Sequence, residues 1–124
     1  MPRILLAEDE EALRAFIARA LAQDGHEVIA TADGGEALDV LTREEGKFDL
    51  LLTDIRMPVM DGIALALAAA RDHPDLTILL MTGYADQRER AHGLDALIHD
   101  VIAKPFSLTE IRKAVQEALI AKGR

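Results

Sequence analysis

Phe48-Asp49-Leu50-Leu51-Leu52-Thr53 is an almost unbroken apolar run that ends against Asp54. A run of that length, nearly continuous in leucine, is expected of a central strand covered on both faces of a parallel sheet. Just beyond it, the pairs Met57-Pro58 and Asp61-Gly62 read as the turn that shapes the following loop and starts a helix. Four similar runs flank this one: Ile4–Ala7, His26–Ala30, Leu76–Met81 and Leu97–Ile102. Each is followed by a helical pattern, so strand and helix alternate five times. That alternation requires a parallel sheet with helical crossovers, an α/β fold with five strands and helices on both faces, doubly wound as (βα)5. The runs at 26–30 and 97–102 mix in polar residues and are expected at the edges.

The first helix carries Leu13, Phe16, Ile17, Ala20 and Leu21 at the spacing of one buried stripe and ends near Gly25. The last opens on Ser107-Leu108-Thr109-Glu110, a capping-box spacing, and places Leu108, Ile111, Val115 and Leu119 on one side. By contrast, Asp86–Gly93 has almost no apolar face, so the fourth helix is expected to be short and weakly anchored.

The 124 residues, half of them apolar, fit one domain, 1–124, with one buried core. Fourteen Lys and Arg against 22 Asp and Glu leave a net charge of −8, which disfavours direct contact with nucleic acid or anionic lipid. The absence of cysteine excludes disulfides, thiolate metal sites and thiol catalysis. No apolar run is long enough to span a bilayer, and Met1-Pro2-Arg3-Ile4 leads into a strand rather than a signal peptide, so the chain is expected in the cytoplasm.

In an open parallel sheet, ligands bind beyond the carboxyl ends of the strands, where strand order reverses. The residues just past those ends are Glu8 and Asp9, Asp54, Thr82, and Lys104 with Pro105. Three crowded carboxylates raise one another's pKa unless a cation compensates, and a hard divalent ion such as Mg²⁺ suits them. With the ion in place, an Asp54 oxygen can attack phosphorus while the ion and Lys104 offset the charge, giving an aspartyl phosphate. Thr82 can then donate a hydrogen bond to the phosphoryl group. Each residue has an ordinary reading as well. Glu8 to Glu11 can be helix caps, Thr82 a turn residue and Lys104 a solvated lysine. Those readings do not explain why four separate strand ends supply compatible groups.

These residues resemble the receiver domain of two-component response regulators over essentially the whole chain. The matching segments are Leu6–Glu10, Asp54–Gly62, Met81-Thr82-Gly83 and Lys104-Pro105-Phe106. The resemblance implies a flavodoxin-like fold in which Asp54 accepts a phosphoryl group from a histidine kinase or phosphotransfer protein. It implies that Glu8, Asp9, Asp54 and the backbone carbonyl of Arg56 surround Mg²⁺ or Mn²⁺. Thr82 and Lys104 are then the readers of the phosphorylated state, and the Lys104-Pro105 bond is expected to be cis. The protein is a signalling switch rather than an enzyme in this reading, its downstream partner unknown. The segment Arg3–Asp9 has some similarity to stand-alone receivers of the CpdR type.

One departure matters. Many receivers carry an aromatic residue three positions before the lysine, which swings inward when the threonine moves; here that residue is Val101. Tyr84, two positions after Thr82, is a candidate for part of that task, alongside its plainer role as a loop aromatic. Arg56 and Tyr84 are expected to flank the path of water to the phosphoryl group. With no effector attached, output is expected through the surface, with the segment 85–93 as its two-state element.

Two alternatives share parts of the pattern. A haloacid-dehalogenase-like phosphatase needs an acidic residue two positions after its nucleophile, where Arg56 stands. A flavin carrier needs a phosphate loop after the first strand, where Glu8-Asp9-Glu10-Glu11 repels phosphate. The four histidines are scattered without metal-ligand spacing and are read as structural.

Overall fold

The structure, a computed structural model, describes residues 1–122, with the side chains of Ala85, Asp86 and Lys122 set aside. The last two positions of the expected 1–124 domain lie outside the described residues. Strands and helices alternate as β1 (Arg3–Ala7), α1 (Glu11–Gln23), β2 (Glu27–Thr31), α2 (Gly34–Arg43), β3 (Leu50–Asp54), α3 (Gly62–Asp72), β4 (Thr77–Thr82), α4 (Ala85–His92), β5 (Asp100–Ala103) and α5 (Leu108–Lys122). All four strand pairs are parallel, in the order β2-β1-β3-β4-β5, so the mixed runs do form the edges.

Parallel strands covered on both faces need apolar residues at every position, and β3 shows how they divide. Leu51 joins Leu5, Ile78 and Leu80 in the core under α2 and α3, whereas Leu50 and Leu52 join Ile4, Leu6, Leu79 and Met81 in the core under α1 and α5. Each fully buried leucine contributes about 1.5–3 kcal/mol. The chain thus has two half-cores, one on each side of the sheet. Among the described residues, no helix is long and apolar enough to cross a membrane.

Three expectations need correction. Phe16 leaves the buried stripe of α1 and is 44% exposed, while Ile17, Ala20 and Leu21 are buried. In α5, Ala118 is fully buried with Ile111 and Val115, and Leu119 is only partly covered. The apolar run at 97–102 does not all become strand: β5 begins at Asp100, and Leu97 sits in the turn before it with its side chain exposed. A pattern of apolar residues cannot separate a strand from the turn leading into it. His26 and His99 likewise fall just outside β2 and β5. Helix α4 is short, as expected; Ala91 is the buried apolar side chain described on it.

The loop from β3 to α3 contains a strained residue. Val59 has φ of 69°, in the left-handed region that a β-branched side chain avoids, and is 85% exposed. Val59→Asn should therefore raise stability by about 0.5–1 kcal/mol, because asparagine tolerates that conformation and no buried contact is lost. Equilibrium urea unfolding checks this, and a less stable variant would refute the strain argument.

Candidate functional site

Strand order reverses between β1 and β3, so the end of β1 and the end of β3 open onto the same crevice. Asp54 closes β3 there. The next residue is held by the Gly62 N–H, which donates to the Ile55 carbonyl at 2.7 Å, and the Asp54 Oδ1 accepts the Ile55 N–H at 3.0 Å. The other oxygen, Oδ2, lies 3.2 Å from the Lys104 ammonium.

Glu8 is fully buried. Rather than capping α1, its carboxylate accepts from Lys104 Nζ at 2.6 Å and from the Glu10 N–H at 3.0 Å. The residue at the N-cap position before α1 is Glu10, whose side chain makes no cap. Asp9 is exposed at the rim. Oxygens of Glu8, Asp9 and Asp54 all lie within 4.8 Å of one another.

Burial and this crowding act together on the carboxyl groups. Burial pushes the Glu8 carboxyl above its ordinary value, with the Asp54 charge adding to the rise and the Lys104 and Glu10 bonds opposing it. Burial also raises Asp54, helped by Asp9 and opposed by Lys104. For Lys104, burial disfavours the ammonium, but the Glu8 hydrogen bond and the Asp54 charge outweigh it and carry the pKa upward. One ammonium between two buried carboxylates leaves an excess of negative charge, as a cation-binding site requires.

Thr82, at the end of β4, is buried, and its hydroxyl faces the next loop: it accepts the Tyr84 N–H at 3.1 Å and lies 3.3 Å from the Tyr84 carbonyl, to which it donates. Lys104 follows β5, hydrogen-bonded through its N–H to the Thr82 carbonyl at 2.8 Å, and its bond to Pro105 is cis. A cleft of about 560 Å³ is bounded by Glu8, Asp9, Asp54, Lys104, Pro105 and the Arg56–Tyr84 pair. The Arg56 guanidinium stands 4.9 Å from the centroid of the Tyr84 ring, which is 50% exposed.

The structure thus brings together Glu8, Asp9, Asp54, Arg56, Tyr84, Lys104 and Pro105, with Thr82 bonded to the Tyr84 backbone and outside the cleft lining. Val101 stands apart: it pairs with Leu80 in the β4–β5 register and lines a separate cavity of about 200 Å³ beside α4. One feature escaped sequence reading. Asp61 caps α3 through the Ala64 N–H at 2.8 Å and also accepts from Arg90 of α4 at 3.1 Å. The Asp-Gly pair foretold the cap; nothing local marks Arg90 as its partner.

With this geometry in hand, comparison with known proteins is specific. The Response regulator receiver domain family matches residues 4–116. The response regulator receiver protein CpdR of Brucella abortus is 40% identical over 121 residues, spanning 98% of this chain and 99% of that protein. The sensor kinase CckA of the same organism is 38% identical over 117 residues, spanning 94% of this chain but only 12% of that protein. Among solved structures, the response regulator TrrA from Thermotoga maritima, in complex with Mg(2+)-BeF, aligns with a TM-score of 0.83 at 28% identity, over 95% of this chain and 99% of that one. None of these matches supports the phosphatase alternative. The chain belongs to the response regulator receiver domain family, the signalling modules of two-component systems.

Proposed function

We propose that Asp54 is the phosphoacceptor and that Glu8, Asp9, Asp54 and the Arg56 backbone carbonyl hold the Mg²⁺ that the family uses. The observation that carries this is the convergence of Glu8, Asp9 and Asp54 within 4.8 Å, with a single ammonium against them. An all-oxygen donor set with surplus negative charge fits a hard divalent ion. When bound, the ion supplies charge neutralisation for the transferring phosphoryl group.

The chain's own residues do the rest. An Asp54 oxygen forms the new P–O bond as the P–N bond of a phosphohistidine breaks, and the imidazole leaves with the electron pair. Lys104, 3.2 Å from Asp54, offsets the added charge. Thr82 exchanges its bond to Tyr84 for one to the phosphoryl group. Receiver domains take their phosphoryl group from histidine kinases, and here the donor is a kinase or phosphotransfer protein; output is a contact with a downstream protein. Incubation with acetyl phosphate and Mg²⁺ should add one phosphoryl mass to the wild type and none to Asp54→Ala, as read by intact mass. An equal gain in both would defeat the assignment.

Arg56 and Tyr84 both line the cleft that contains Asp54, so each side chain flanks the path of water to the phosphoryl group. Arg56→Ala and Tyr84→Ala should each shorten the aspartyl-phosphate lifetime, by about three- to tenfold, equivalent to about 0.7–1.4 kcal/mol in the barrier. Decay followed by intact mass checks this, and unchanged lifetimes in both variants would count against a gating role.

A further inference from the structure

Helix α4 is tied to the loop between β3 and α3 at both of its ends. At its start, the ring of Tyr84 carries the guanidinium of Arg56, near the beginning of that loop. At its end, Arg90 donates to the Oδ2 of Asp61, which closes the loop and caps α3 with its other oxygen. Between these ties, Ala91 is the buried apolar contact described on the helix. Among the described residues, two polar bridges therefore tie the helix to that loop, and their chemistry differs. The Asp61–Arg90 bridge is an ion pair, and neither of its members lines the cleft. The Arg56–Tyr84 bridge is a cation over an aromatic face, and both of its members line the cleft that contains Asp54.

That difference sets up a competition. An exposed guanidinium on a ring is a weak contact, whereas a guanidinium facing phosphoryl oxygens makes charge-assisted, two-pronged hydrogen bonds. Arg56 is two residues from Asp54 and on the same cleft wall, so a phosphoryl group on Asp54 offers the stronger partner. We propose that Arg56 is a positioning residue that exchanges partners: it rests on the Tyr84 ring in the unphosphorylated protein and moves to the phosphoryl oxygens when Asp54 is modified. The start of α4 is released by that exchange, and the Arg90–Asp61 bridge keeps the far end in place, so the helix pivots about its C-terminal turn. This inference rests on Asp54 being the phosphoacceptor.

The chain provides its own probe, because Tyr84 is the single tyrosine and there is no tryptophan. Tyrosine emission therefore reports on this ring alone. The 124-residue chain is treated with acetyl phosphate and Mg²⁺, and each sample is divided between fluorescence and intact mass. In the wild type, emission should shift as the phosphoryl mass appears and return as it decays. Arg56→Ala should lose the response, its emission standing at the unstacked level throughout. Arg56→Lys keeps a charge for the phosphoryl group without the planar stack. Its resting emission should match that of Arg56→Ala, and its phosphoryl lifetime should lie nearer the wild type. Arg90→Gln should retain the ring response. A phosphoryl mass gain with unchanged Tyr84 emission would overturn the exchange and leave the phosphoacceptor assignment standing, as would a full response in Arg56→Ala. No mass gain in the wild type would remove both.

Discussion

Lys104→Ala is expected to destabilise the metal-free protein by about 3 kcal/mol at neutral pH, on the scale of breaking a buried ion pair by removing one partner. The lysine reaches Glu8 at 2.6 Å and Asp54 at 3.2 Å, and the Glu8 side chain is almost wholly enclosed. Without the ammonium, two buried carboxylates face each other uncompensated. The pH dependence has a definite sign. Both carboxyl groups have raised values in the folded state, so between the ordinary carboxylate range and those raised values the native protein binds more protons than the unfolded chain. Their contribution to stability is thus present at low pH and lost as pH rises through that window. In EDTA the wild type should weaken over this range, and Lys104→Ala should weaken more steeply and to higher pH. Mg²⁺ should restore much of the loss in the wild type. Lys104→Met, which keeps most of the stem, separates charge from packing and should behave like the alanine variant. The same substitution should slow phosphoryl acceptance by about 100-fold, the scale for removing one preorganised charge-stabilising group. Urea unfolding across about pH 4–8 and phosphorylation rates by intact mass check these outcomes. A flat pH profile in both variants would contradict the electrostatic account.

Gly62→Ala should be equally damaging for a steric reason. Gly62 is the first residue of α3, a position where alanine is ordinarily harmless, but a Cβ there would lie 2.0 Å from the Asp54 carbonyl oxygen. Backbone cannot yield as a flexible side chain can. The clash must displace either the start of α3 or the end of β3, at a cost of about 3 kcal/mol, the upper part of the overpacking range. Because Asp54 itself is pushed, phosphoryl acceptance should fall along with stability. Thermal unfolding and phosphorylation of the same sample test this. A variant that folds normally and accepts phosphoryl at the wild-type rate would show that the contact is not constraining.

What could be read from residues alone follows from the range of the interactions involved. The order of elements, the edge strands and the location of the crevice depend on local periodicity and on the geometry of parallel sheets, so the continuous runs at 4–7, 48–53 and 76–81 and the mixed runs at 26–30 and 97–102 announced them. The positions of Asp54, Thr82 and Lys104 were legible because the first two close β3 and β4 and the third directly follows β5. Phe16 was misplaced because helical spacing defines a stripe wider than the surface the sheet covers. The limits of β5 were misplaced because Leu97 and Ile98 are apolar for reasons that spacing does not reveal. The Lys104 bridge to Glu8, 96 positions apart in sequence, and the Arg90–Asp61 pair arise only when the fold is closed.

Chemical mapping of the phosphorylated residue tests the central claim most directly. Borohydride reduces an aspartyl phosphate at its acyl carbon to the alcohol, releasing phosphate and leaving homoserine in place of aspartate. After treatment with acetyl phosphate and Mg²⁺, reduction and peptide mass analysis should find homoserine at position 54. Homoserine at position 9, or a phosphoryl mass that persists in Asp54→Ala, would contradict it.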